Sequence, residues 1–144
     1  MRTSHITLVT AALALSPITA YARPSIFQHS VTMNVSPDIP AAQGKVKFDK
    51  TDDGNVRVIL SVKYLADPQK LQPPAAIYVV WVSSDKDSPA QNIGALKVDN
   101  DREGKLKTMT PLRAFQLFVT AEANGQIQEP AGTKLLWTDF NSDK

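Results

Sequence analysis

Beyond residue 30 the apolar side chains return at every second position, a period that builds extended chain with one face against a core and does not build a helix. Val31, Met33 and Val35 alternate with polar neighbours, and so do Val46 and Phe48. Val56, Val58, Leu60, Val62 and Tyr64 share one face of a strand, while Arg57, Ser61 and Lys63 share mostly the other. Between the two runs stands Thr51-Asp52-Asp53-Gly54, whose turn chemistry predicts a hairpin.

The segment Asp67 to Pro74 carries three prolines and cannot donate a regular ladder, so it reads as a surface crossover from one sheet to the other. Ile77 to Val82 is apolar on both faces and rich in β-branched and aromatic residues, as a strand covered on both sides would be. Asn92–Val98 and Gly104–Thr108 bracket the polar run 99–103 as a second hairpin. Ala114–Ala121 and Lys134–Thr138 complete the series, and Asn141 to Lys144 reads as a frayed tail. The mature chain shows no amphipathic helix. The prediction is an all-β, antiparallel, immunoglobulin-like sandwich of about seven to eight strands, with an ordered core near residues 30–139.

Residues 1–22 read as a cleaved signal peptide. Arg2 supplies positive charge, Ile6 to Leu15 an apolar run, and Ala20-Tyr21-Ala22 a small-x-small cleavage pattern. The run is far shorter than the ~20 residues of a membrane span. Residues 23–144 then form one exported domain, periplasmic or secreted, without a transmembrane segment. Losing Arg2 takes one from the 16 Lys and Arg that face 14 Asp and Glu, a net charge of about +1. That total is too small to steer the chain to nucleic acid or to an anionic membrane. With no cysteine, the domain does without disulfides and stands on packing.

Tyr78-x-x-Trp81-Val82, Asn92-Ile93-Gly94-Ala95-Leu96, the run from Leu112 through Phe115, Leu117 and Val119 to Thr120-Ala121-Glu122, and Pro130-x-Gly132 together resemble the extracytoplasmic C-terminal domain of anti-sigma-K factors. The resemblance covers about half of residues 23–144. It implies a sandwich outside the cytoplasm. The tethering helix and the sigma-binding segment of that family have no counterpart here, so the regulatory activity does not carry over.

Catalytic chemistry is sparse. His29 is the one histidine outside the leader, which leaves no Cys-His pair and no two-histidine metal site. A serine triad would have to draw His29 from a loose N-terminal segment, whereas a solvated histidine beside the first strand needs no further support. Asp99, Asp101 and Glu103 before Gly104 match the first half of a calcium loop, but position twelve is Thr110 where a bidentate glutamate belongs, so a polar turn is expected. Asp49, Asp52 and Asp53 read as another solvated turn. No cofactor is implied.

The aromatic residues are the binding candidates. Tryptophan in mid-strand ordinarily packs between the sheets, which places Trp81 in the core. If Tyr78 and Val80 point inward instead, Trp81 and Phe118 share the outer face and form a contact surface, with Trp137 open to either role. Lys45, Lys47, Lys63, Lys97, Lys105 and Lys107 alternate with apolar neighbours. They are expected to guard exposed strands against pairing, the alternative being an anionic polymer site. The functional expectation is a non-catalytic module that meets a protein partner in the cell envelope. The alternatives are a glycan or surface-polymer binder using Trp81 or Trp137 and a calcium-dependent adhesion domain.

Overall fold

The computed structural model describes residues 28–144. The expected leader and its cleavage point lie outside them. Among the described residues nine strands run β1 (Gln28–Thr32), β2 (Asn34–Val35), β3 (Gln43–Lys50), β4 (Val56–Lys63), β5 (Ile77–Ser83), β6 (Gln91–Leu96), β7 (Gly104–Thr110), β8 (Ala114–Glu122) and β9 (Leu136–Asn141). They form two antiparallel sheets, a four-stranded one ordered β1-β3-β4-β7 and a five-stranded one ordered β2-β9-β8-β5-β6, stacked as a sandwich. The one helical element described is a 3-10 turn, Pro68–Lys70, and no helix among these residues is long and apolar enough to cross a membrane.

The period-two pattern translates directly into burial. Val56, Val58, Leu60 and Val62 of β4 and Val46 and Phe48 of β3 are buried between the sheets, facing Tyr78, Val80 and Val82 of β5 and Leu117 and Val119 of β8. Each such aliphatic side chain contributes roughly 1.5–3 kcal/mol. Phe48 stacks on Phe140 at 4.2 Å and meets Phe115 edge-on at 5.7 Å, closing one end of the core. The β3–β4 hairpin forms as expected: Thr51 N–H donates to the Asn55 carbonyl at 2.9 Å, and Gly54 takes φ 83. The proline-rich segment carries the chain from β4 in one sheet to β5 in the other, its 3-10 turn capped by the Asp67 carboxylate, which accepts from Gln69 N–H at 3.0 Å.

Several expectations need correction. Tyr64 does not continue the inward row of β4. It adopts φ 55, which reverses the alternation, so that Leu65 is buried and Tyr64 stands 49% exposed. The first strand is interrupted at Met33, which is buried where the chain steps from the four-stranded sheet to the five-stranded one.

The segments either side of 99–103 do meet at a tight turn, with Asp99 N–H donating to Glu103 O at 2.9 Å. They enter different sheets, however: β6 pairs with β5 and β7 with β4. Gly94, at φ 146, leaves room for Leu106, and the Thr108 hydroxyl donates to Ile93 O at 2.8 Å, a side-chain bond across the corner where a ladder bond would otherwise stand. β9 extends to Asn141, and Ser142 N–H still donates to Arg113 O at 2.8 Å, so the frayed tail is shorter than expected.

Candidate functional site

β5 decides the site, because both of its faces are apolar. Tyr78, Val80 and Val82 point into the sandwich, and Ile77, Val79 and Trp81 point away from it. Trp81 is therefore not between the sheets, where mid-strand position had placed it, yet it is fully buried. A second, smaller apolar cluster covers it on the outer face of the five-stranded sheet: Val79, Trp81 and Phe118, with Ile77, Ala90, Ile127 and Trp137 around them. The register aligns Trp81, Phe118 and Trp137 in one row across β5, β8 and β9, with the Trp81 and Phe118 rings stacked at 6.5 Å.

The cover is segment 123–134, and polar groups of β8 fasten it. The Trp81 indole N–H donates to the Thr120 hydroxyl at 2.8 Å, and that hydroxyl donates to the buried Glu122 carboxylate. Glu122 accepts in turn from Ala131 N–H at 3.0 Å and Gly132 N–H at 3.2 Å. Asn92 holds the near part of the segment, donating to the Gly125 and Ile127 carbonyls at 3.0 Å each. A carboxylate at this depth is costly unless its oxygens are satisfied. Here they are, and no buried side-chain polar atom among the described residues lacks a partner.

Next to this cover the outer face opens into a shallow depression of about 740 Å³, with Gln116 and Phe118 among its lining residues between Ser83 and Asp139. A smaller neighbouring recess is lined by Lys86, Gln116, Lys134 and Trp137. Lys134 Nζ sits 4.4 Å from the Phe118 ring centroid and donates to Gln116 Oε1, while Gln116 Nε2 donates to Asp139 Oδ1 at 3.1 Å. The loop after β5 is shaped by Asp85, whose carboxylate accepts from Asp87 N–H at 2.9 Å and from Ser88 N–H and Oγ at 2.8 Å each. These bonds, the Ser88 hydroxyl foremost, hold the Asp85 carboxyl below the ordinary carboxylate range. The result is a shelf with a half-buried indole, a lysine above an aromatic ring, a carboxamide and two carboxylates. It can stack, donate and accept.

Two of the serine hydroxyls at this shelf are already committed. Ser83 Oγ donates to carbonyls of its own loop and Ser88 Oγ to Asp85, so neither is set against an imidazole. His29 belongs to β1 of the other sheet, opposite Phe48, and not to a loose segment. Of the three predicted contact residues, Trp81 and Phe118 come together but are buried, and Trp137 is half-buried at the recess.

Asp99, Asp101 and Glu103 do not converge: Asp99 Oδ1 accepts from the Asp101 and Glu103 amides at 3.0 and 2.9 Å, and Glu103 reaches Lys63 at 3.7 Å. No group of three or more acidic, His or Cys side chains among the described residues is arranged to hold a metal ion. Of the other acidic turn, Asp49 pairs with Arg57 at 3.1 Å, and Asp53 is held below the ordinary range chiefly by the Thr51 hydroxyl. Sequence reasoning missed Glu122 and Lys134, and reached Gln116 and Thr120 only as neighbours of Phe118 on the outer face. For Glu122 the signal is its outward parity with Gln116, Phe118 and Thr120 on β8; Lys134, outside the strands, carries none. Comparison with protein-family models and with curated proteins gives no match.

Proposed function

We propose that this chain is an exported, non-catalytic binding protein that takes a protein partner in the cell envelope on the outer face of its five-stranded sheet. Export rests on Arg2, the apolar run and the Ala20-Tyr21-Ala22 pattern. An immunoglobulin-like sandwich is favoured by the strand pairing: β4 pairs with β7 and β5 with β8, a Greek-key interlock across the two sheets. The relation to the outer domain of anti-sigma-K factors belongs to the same proposal. The observation that carries the binding role is the shelf at Trp137. An indole, the Gln116 carboxamide and Asp139 on β8 and β9 meet there with the ammonium of Lys134, which stands just before β9, above a fastened apolar layer. Such a surface offers a large flat contact at low entropic cost.

A photo-crosslinking residue placed at 137 in the producing cell tests this. One envelope protein should be captured at 137 and not at Lys50, and capture should be lost with Lys134→Glu. The glycan alternative is favoured specifically by the recess that sets Trp137 beside Gln116 and Lys134. It predicts that soluble glycans change tryptophan fluorescence while no protein is captured. A calcium-dependent rise in melting temperature would move the role to 99–103, and failure of all three would remove the binding proposal.

A further inference from the structure

The opposite face of the sandwich carries a pattern that the shelf does not use. On the four-stranded sheet, Lys45 and Lys47 of β3 and Lys105 and Lys107 of β7 all stand exposed, and β4 lies between them. The register sets Lys45, Ser61 and Lys105 in one cross-strand row and Lys47, Ile59 and Lys107 in the next. With strands ~4.8 Å apart and same-face residues roughly 7 Å apart along a strand, the four lysines rise from a rectangle about 10 Å by 7 Å. Its floor is low, because Ile59 and Ser61 are half-buried between the lysine stems. Both ends are closed electrostatically, by Arg57–Asp49 at 3.1 Å and Lys63–Glu103 at 3.7 Å. Those are the ion pairs among the described residues, and neither includes any of the four lysines.

Protection of a sheet edge accounts for only half of this arrangement, since Lys105 and Lys107 lie on the edge strand β7 but Lys45 and Lys47 do not. β3 is an interior strand, flanked by β1 and β4, so Lys45 and Lys47 guard no edge. Lys97, which sequence spacing grouped with them, lies past the end of β6 and off the lane. A formal net charge of +2 for the whole chain conceals this segregation, because the acids beside the lane, Asp49 and Glu103, stand at its ends and are paired with Arg57 and Lys63.

We infer that this lane binds a linear anionic polysaccharide bearing carboxylate or sulfate groups, laid along β4 with lysines on either side. Two cationic walls over a low floor fit one chain better than a planar bilayer. The lane has no aromatic ring on which a single-stranded nucleic acid could stack its bases. Compact ammonium charges suit anions that are not fixed in bidentate geometry. On β1, Ser30 and Thr32 stand exposed beside Lys47 and Lys45 and extend the lane with hydroxyls for sugar oxygens.

The test measures binding of the purified chain to polygalacturonate and to dextran sulfate by calorimetry, over a series of salt concentrations. Neutral dextran, phosphatidylglycerol vesicles and single-stranded DNA are run in parallel. At least one of the two polysaccharides should bind, and neutral dextran should not. K45Q/K47Q and K105Q/K107Q should each weaken binding at least about tenfold and lower the salt slope by about 2, with melting temperatures unchanged. The charge-matched K50Q/K70Q should change affinity less than about twofold. Absence of polysaccharide binding at low salt, equal losses in K50Q/K70Q, or tighter binding of vesicles or DNA through the same four lysines would overturn the inference.

Discussion

Trp81 donates its indole N–H to the Thr120 hydroxyl at 2.8 Å on the outer face of the five-stranded sheet, beneath a segment that Glu122 fastens. This bond lets a tryptophan be buried without lying between the sheets. Thr120→Val keeps the shape and removes the acceptor, leaving a buried indole N–H unpaired and Glu122 without one donor. It should cost about 1–3 kcal/mol in chemical denaturation, well above an exposed threonine change such as Thr133→Val. Equal costs for the two would show that the bond does not bear on stability.

Glu122→Ala should release the cover without unfolding the sandwich. Amide exchange at Ala131 and Gly132, which donate to that carboxylate, should accelerate at least about tenfold, while exchange in β4 stays protected. Gly132→Ala should act in the same direction by another cause, because a Cβ there would lie 2.6 Å from the Ala121 carbonyl oxygen. Unchanged exchange in both variants would show that the segment is held by its apolar contacts alone.

Tyr78 supplies a pH signature. Its ring is buried in the core and its hydroxyl donates to Ala66 O at 2.7 Å; burial, and then the nearby Asp67 charge, push its pKa from 10.0 up to about 12. The neutral phenol is the form that the fold favours, so its contribution is complete below pH 10 and is lost as pH rises from 10 toward 12. Denaturation curves should show stability falling across that window in the parent chain and falling less in Tyr78→Phe. A parallel decline in both would assign the loss to other groups.

The legible and the illegible parts of this chain divide along physical lines. β4 and its hairpin were readable because alternation and turn chemistry are local. Val56 to Val62 and Asp53-Gly54 each state their own conformation. β5 could not disclose which face looked inward, because Tyr78 and Trp81 are both large and both buried. Only the pairing with β8 and the return of segment 123–134 settle it. Tyr64 was misplaced because a single left-handed residue reverses the alternation and leaves no trace in hydropathy. At the site, parity paired Trp81 with Phe118 on the outer face only as the alternative to a core Trp81 and left Trp137 open; the row of the three comes from the register of β5, β8 and β9, and their depth depends on the distant Glu122 and Ile127.

The division of labour between the two tryptophans, Trp81 as buried support and Trp137 as contact, is tested most directly by acrylamide quenching of Trp137→Phe against the parent chain. The account predicts that Trp81, left alone, emits at short wavelength and resists quenching, so that the quencher-accessible emission of the parent belongs to Trp137. Long-wavelength, readily quenched emission from Trp137→Phe, with the fold intact by circular dichroism, would contradict it.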